Sequence, residues 1–106
     1  MEDSKKLTEL RKKIDDVDDQ IVDLLNQRAQ LALQARIAKG GRTVHRPQRE
    51  NQILERVAKI NQGPLSAEAI QTLFHSVIFV CRSIQEVENE PEPLVGLDRN
   101  FVTEQA

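Results

Sequence analysis

The sequence predicts an all-α fold of three helices, the first of them much longer than the other two. Three observations carry this prediction. Apolar residues recur in alternating steps of three and four along the first third of the chain, and glycine and proline residues lie between the predicted helices. The composition has no Trp or Tyr, three Phe and many Leu, Gln, Glu, Lys and Arg, which favours helix over sheet. At 106 residues the chain is long enough for one domain with a modest core.

The first helix is predicted over residues 5–39, about 35 residues or roughly 50 Å long. Asp3 or Ser4 can cap its start, and Gly40-Gly41 can end it. Heptad spacing gives it an apolar seam, made of Leu7, Leu10, Ile14, Val17, Ile21, Leu24, Leu31, Ala35 and Ala38. Arg28 occupies the seam position between Leu24 and Leu31. An unpaired guanidinium buried there would cost several kcal/mol, so this residue either reaches solvent or meets an anion.

Two shorter helices are predicted over residues 47–61 and 66–88. Pro47 suits the first position of the second helix, whose apolar stripe is Ile53, Leu54, Val57 and Ile60. Ser66 is a good N-cap for the third helix. Its stripe runs through Ile70, Leu73, Phe74, Val77, Ile78, Cys81 and Ile84 and ends at the polar Gln85.

The chain therefore divides into a helical domain, residues 1–88, and a polar, Pro-containing stretch, residues 89–106, predicted to be a poorly ordered tail or the stub of a linker. Fifteen Lys and Arg against seventeen Asp and Glu give a net charge of -2, so no nucleic-acid partner is expected. A single Cys, a polar N-terminal run and no long apolar segment favour a cytoplasmic protein without a membrane partner. His45 and His75 lack a second ligand at metal spacing, so no metal is expected.

A long first helix would project past its neighbours with its seam exposed, and a second copy of the chain would cover it. We therefore expect a two-fold homodimer with the long helices antiparallel. Arg28 and Lys39 lie on nearly the same helix face, about 17 Å apart along the axis. Arg11 is about 26 Å from Arg28 along the axis and lies on a different face. Only an antiparallel partner could therefore bring its own Arg11 beside the stretch between Arg28 and Lys39.

The second and third helices add Arg49, Glu50 and Gln85 near the same place. Several cations with one amide and one carboxylate suit a small dianion that carries a hydroxyl group. Each residue also has a structural interpretation. Arg28 could set the helix register or extend to solvent, and Lys39 could complement the helix dipole. Glu50 and Gln85 could be capping or solvated residues, and Cys81 a small buried apolar residue.

Taken together, these residues resemble the all-α class of chorismate mutases over about residues 7–85. The similarity is carried by five stretches in the same order, namely Leu10-Arg11-Lys12-Lys13-Ile14 with Asp18, Leu24-Leu25-Asn26-Gln27-Arg28, Ala38-Lys39, Arg46-Pro47-Gln48-Arg49-Glu50, and Leu73-Phe74 leading to Gln85. The resemblance implies an intertwined antiparallel homodimer with shared active sites, standing alone or as the N-terminal domain of a bifunctional enzyme. Its reaction would be the [3,3] rearrangement of chorismate to prephenate, a step of the shikimate pathway toward phenylalanine and tyrosine.

The resemblance also implies roles for individual residues. Arg28 and the partner chain's Arg11 would clamp the two carboxylates, while Lys39 would contact a carboxylate and the ether oxygen. Gln85 would donate to the ether oxygen, Glu50 would accept from the ring hydroxyl, and Arg49 would stabilise the pocket. Ala35, Ile53 and Ile78 would form walls. The reaction needs no cofactor, only a dianion held in a compact shape with positive charge at the ether oxygen.

Two positions depart from the family pattern. Arg46 stands where many members have Asp and would contribute through its backbone, and Cys81 stands where some have Ser, which removes a hydroxyl contact near the ligand. Two other functions stay open. One is isochorismate pyruvate-lyase activity on the same scaffold, and the other is a non-catalytic helical dimerisation or regulatory module.

Overall fold

The computed structural model describes residues 2–41 and 46–89, and the surroundings of the side chains from 3–41 and 46–85. Its three helices are α1 (Glu2–Ala38), α2 (Pro47–Ile60) and α3 (Ala67–Asn89), and the described residues contain no strand. The all-α prediction is confirmed, with a first helix of 37 residues against 14 and 23 for the others. The predicted and observed helix ends differ by at most one residue, except that α1 begins three residues earlier than predicted.

The earlier start of α1 makes the predicted N-cap wrong. Asp3 and Ser4 lie inside the helix, which begins at Glu2. The Ser4 carbonyl accepts a hydrogen bond from the Thr8 hydroxyl at 2.9 Å. Acidic side chains in a first helical turn are favoured by the helix dipole, which accounts for a helix that extends back to Glu2.

The C-terminal end of α1 is closed by the predicted glycine pair. The amide of Gly40 donates to Ile37 O at 3.0 Å, and the amide of Gly41 donates to Arg36 O at 2.9 Å. These two bonds are those of a Schellman motif, which requires a left-handed residue after the helix. Gly40 has φ +87° and Gly41 has φ +79°. Lys39 is thereby fixed as the last residue before the left-handed turn.

Side-chain and backbone bonds also set the boundary between α2 and α3. Asn61 ends α2, with its backbone amide on Val57 O at 3.1 Å and its side-chain amide on Leu65 O at 2.7 Å. Ser66 caps α3 as predicted, since its hydroxyl oxygen accepts the Ala69 amide at 3.0 Å. The two helices are therefore joined by a short, hydrogen-bonded turn.

The third helix packs against both of the others, whereas the described parts of α1 and α2 make no close backbone approach to each other. Among the described side chains, only Val57, Cys81 and Gln85 are buried. The seam of α1 is exposed in the single chain, with Leu10 at 47%, Leu24 at 59% and Leu31 at 62%. The described part of the chain contains no helix both long and apolar enough to cross a membrane.

Candidate active site

A partly open cleft of about 730 Å³ lies where the three helices meet. α1 forms one wall, the start of α2 forms the opposite wall, and α3 lies between them. The lining residues are Arg28, Leu31, Ala32, Ala35, Lys39, Arg46, Arg49, Glu50, Ile53, Ile78, Cys81, Arg82 and Gln85. A cleft of this size matches a small organic ligand.

The charge of the cleft lining is strongly positive. Five of the described lining side chains are cations and one is a carboxylate: Arg28, Lys39, Arg46, Arg49 and Arg82 against Glu50. Arg28 and Lys39 are half-buried, while Arg46 and Arg49 are exposed at the rim. Cations lining a concave, partly desolvated surface attract and orient anionic ligands more strongly than the same charges on an open surface.

Gln85 is the buried polar side chain of the cleft, with 8% of its surface exposed. Its Nε2 donates to the carbonyl oxygen of Ala32, on α1, at 2.6 Å. Only the amide nitrogen can donate to a carbonyl, so this bond fixes which end of the amide faces α1. The nitrogen carries two hydrogens, which leaves a second donor for a ligand. The side chain is thus a held and oriented hydrogen-bond donor.

Glu50 and Arg82 form an ion pair between α2 and α3, with Arg82 Nη1 donating to Glu50 Oε2. Their side chains are 24% and 26% exposed, respectively. Arg82 was not among the site residues predicted from the sequence. A signal for it was present, because Ile78, Cys81, Arg82 and Gln85 follow the i, i+3, i+4, i+7 spacing of one helix face.

The structure brings most of the predicted site residues together. Seven of them line the cleft, namely Arg28, Lys39, Arg46, Arg49, Glu50, Cys81 and Gln85, and so do the predicted wall residues Ala35, Ile53 and Ile78. Arg11 lies on an exposed part of α1 and does not line the cleft of its own chain. Cys81 is buried, at 7% exposed. The roles of these residues toward a ligand stay predictions.

The cleft offers binding and electrostatic chemistry. Its cations can hold carboxylates, Glu50 can accept a hydroxyl proton in a hydrogen bond, and Gln85 can donate to an ether or carbonyl oxygen. Within the described residues no three His, Cys, Asp or Glu side chains are grouped so as to hold a metal ion. The arrangement therefore suits a small dianion with a hydroxyl group.

Comparisons with known proteins show which family the chain resembles. The model of the family described as chorismate mutase type II matches residues 10–86. Curated relatives include bifunctional chorismate mutase/prephenate dehydratases. That of Neisseria gonorrhoeae is 40% identical over 75 residues, which cover 71% of this chain and 21% of the relative. That of Aquifex aeolicus is 36% identical over 88 residues, covering 76% of this chain and 24% of the relative. The chain thus spans about a fifth to a quarter of these proteins.

Among solved structures, the chain is similar to a crystal structure of chorismate mutase from Helicobacter pylori in complex with prephenate. The TM-score is 0.73 and the sequence identity 30%, with 81% of this chain and 97% of that chain covered. The fold therefore matches that of the neighbour over nearly the neighbour's whole length.

Proposed function

The chain belongs to the chorismate mutase type II family, and we propose that it catalyses the [3,3] rearrangement of chorismate to prephenate in aromatic amino acid biosynthesis. The observation that carries the proposal is the cleft itself, in which five cations, one carboxylate and the buried Gln85 amide surround a small volume. The enzyme would be an isomerase that uses no cofactor. The relative of known structure is described with prephenate bound, which supports the same ligand here.

The two carboxylates of the substrate are held by cations. Arg28 offers a planar pair of donors on the α1 wall, and a guanidinium binds a carboxylate through two parallel hydrogen bonds. Lys39, at the end of α1, contacts a carboxylate and the ether oxygen. Arg49 and Arg46 at the rim add positive charge, the latter also through its backbone. Binding both carboxylates holds the flexible ring and side chain in the compact shape that reacts.

The ether oxygen is the atom at which charge develops. In the transition state the carbon–oxygen bond lengthens while the new carbon–carbon bond forms, and the oxygen becomes more negative. Lys39 and Gln85 place positive charge and an N–H donor there, and neither has to reorganise during the reaction. No nucleophile or proton transfer is needed, since the rearrangement is unimolecular. Glu50 accepts a hydrogen bond from the ring hydroxyl and so orients the ring.

A second copy of the chain completes the site in this proposal. The exposed apolar seam of α1 supports an antiparallel homodimer, because burying it removes a long apolar stripe from water. Arg11, which lies outside the cleft of its own chain, would enter the partner's cleft and clamp the second carboxylate. The dimer would then contain two identical sites, each built from both chains.

Two further aspects are proposed at the level of the whole protein. We place the enzyme in the cytoplasm, in line with its single cysteine and with the biosynthetic relatives. We also keep the division into a catalytic domain, residues 1–88, and a tail or linker stub, residues 89–106. Residues 90–106 lie outside the described part of the chain.

The test is to incubate the purified protein separately with chorismate and isochorismate and to identify the products. We expect chorismate to disappear and prephenate to form. Pyruvate and salicylate formed from isochorismate, with no prephenate from chorismate, would assign the lyase activity instead. No turnover of either substrate by a folded protein would leave the non-catalytic module as the function.

Arg28→Ala is the matched loss-of-function variant, with Arg56→Ala as its control. Arg28 lines the cleft, whereas Arg56 is exposed on α2 and does not. We expect Arg28→Ala to abolish turnover and to remain a folded dimer by circular dichroism and sedimentation. Arg56→Ala should keep full activity. Unchanged turnover in Arg28→Ala would refute the assignment of the cleft as the active site.

A further inference from the structure

Arg82 on α3 forms an ion pair with Glu50 on the α2 wall of the cleft. The reaction proposed above assigns Arg82 no role. We propose that Arg82 is a positioning residue that holds the Glu50 carboxylate where it binds the substrate hydroxyl. The proposal rests on the function proposed above. It concerns the orientation of the ring within the cleft and assigns Arg82 no direct contact with the reacting atoms.

The geometry of the ion pair supports this role. Glu50 lies in the first turn of α2 and Arg82 lies on α3, 32 residues later, yet Arg82 Nη1 donates to Glu50 Oε2. Both side chains line the cleft, and each is about three-quarters buried. An ionised carboxylate has about four lone-pair sites. The contact with Arg82 therefore restrains the side chain while it uses only part of this capacity.

Electrostatics gives a second reason for a cation beside Glu50. A negative side chain in a cleft that takes a dianion repels its ligand, and the repulsion is larger where water is partly excluded. Arg82 compensates this charge locally, so Glu50 contributes a hydrogen-bond acceptor with little net charge. Without Arg82, the Glu50 side chain would lose the restraint that this contact places on its orientation.

The two polar neighbours on α3 act on opposite walls. Arg82 and Gln85 are three residues apart on one helix face, and Gln85 donates to Ala32 O on α1 at 2.6 Å. One turn of α3 thus bonds to α2 through Arg82 and to α1 through Gln85, while the described parts of α1 and α2 do not approach each other. This turn of α3 therefore connects Glu50 on α2 with the α1 wall through two side-chain bonds.

A double-mutant cycle tests whether Arg82 acts through Glu50. The variants are Arg82→Met, Glu50→Ala and the double substitution, and each is assayed for kcat and KM with chorismate. We expect either single substitution to lower kcat/KM about tenfold or more, mainly through KM, because a charge-assisted contact is lost. In the Glu50→Ala background, Arg82→Met should add less than about threefold. If Arg82→Met lowers kcat/KM as much in the Glu50→Ala background as it does in the wild type, Arg82 acts on the substrate directly. That result would overturn the proposal.

Controls separate positioning from a merely structural effect. Arg82→Lys keeps the charge on α3 and should recover part of the lost affinity, whereas Arg56→Met, at an exposed position outside the cleft, should change neither constant. A structural defect would lower kcat by reducing the active fraction, with KM unchanged and no recovery in Arg82→Lys, and this result would contradict the proposal. If Arg82→Met does not fold, Arg82→Gln replaces it in the cycle.

A binding measurement keeps this test independent of turnover. The same variants are titrated with prephenate by calorimetry, since prephenate retains the ring hydroxyl. If the wild-type protein does not convert chorismate but binds prephenate, the proposed function fails and the affinity cycle still decides the role of Arg82. Non-additive affinity losses support the positioning role and additive ones refute it. A wild-type protein that neither turns over chorismate nor binds prephenate refutes both proposals.

Discussion

At the residue scale, Gln85 combines burial with a fixed hydrogen bond, and its expected role is to donate to the ether oxygen. We predict that Gln85→Ala lowers kcat about 100-fold, because removing one donor at a developing negative charge has effects of this order. The rate of chorismate disappearance at saturating substrate measures this kcat. A loss confined to KM would indicate that Gln85 binds the substrate and the transition state equally.

The matched control for this variant is Gln71→Ala. Gln71 also lies on α3, is half-buried, and donates through Nε2 to a helix carbonyl, that of Leu54, at 3.0 Å. It does not line the cleft. Both substitutions should cost about 1 kcal/mol of stability for the lost hydrogen bond. Only Gln85→Ala should lose turnover; equal losses in both variants would point to a general packing defect.

Sequence reasoning could single out Gln85 but not its partner. A polar residue at the end of an apolar stripe is conspicuous, whereas its acceptor, the Ala32 carbonyl, lies 53 residues away and has no sequence signature. Arg82 was missed although it shares a helix face with Cys81 and Gln85. An arginine beside an apolar stripe is usually solvated, and only the tertiary structure places Glu50 opposite it.

At the scale of elements, the end of α1 controls where Lys39 is presented. Gly40 has φ +87°, and a Cβ added there would meet nothing within 4 Å, so the cost of a substitution comes from the backbone conformation alone. We predict that Gly40→Ala destabilises the fold by about 1 kcal/mol. It should also lower kcat/KM severalfold, because the adjacent Lys39 moves when the turn relaxes. Denaturant unfolding and steady-state kinetics measure the two effects.

Gly63→Ala provides the comparison for this element. Gly63 has a similar φ of +80° but lies in the turn between α2 and α3, outside the cleft. It should lose comparable stability and keep its kcat/KM. If Gly40→Ala is destabilised yet fully active, the position of Lys39 does not depend on the Schellman turn.

The helices themselves were predictable because their signals are local. Heptad spacing, Pro47 at a first position, the Ser66 cap and the glycine pair each act within a few residues, and the observed bounds agree with them. The first turn of α1 was the exception, since two good capping residues lie inside a helix that starts earlier. The placement of α3 between α1 and α2 depends on contacts between residues far apart in sequence, and no local pattern specifies it.

At the scale of the whole molecule, a single chain leaves the apolar seam of α1 exposed to solvent. Among the described apolar side chains only Val57 and Cys81 are buried, while Ile14 and Val17 in the seam are 57% and 51% exposed. Long apolar stripes in water favour association, and a two-fold partner covers the same stripe on both chains. The proposed dimer would therefore bury the α1 seam in a shared core and bring Arg11 into the partner's cleft.

Subunit complementation tests the shared site. Arg11→Ala and Arg28→Ala should each be inactive, because each removes one carboxylate clamp from both sites of a homodimer. In a hybrid dimer one site receives both intact arginines and the other receives neither. Random exchange of equal amounts makes about half the dimers hybrid, so activity should return to about a quarter of wild type. Sedimentation with one tagged subunit measures exchange. As a control, Arg56→Ala mixed with Arg28→Ala should keep about half of wild-type activity, because Arg56→Ala subunits carry both intact arginines. No recovery despite measured exchange would mean that Arg11 serves no site across the two-fold.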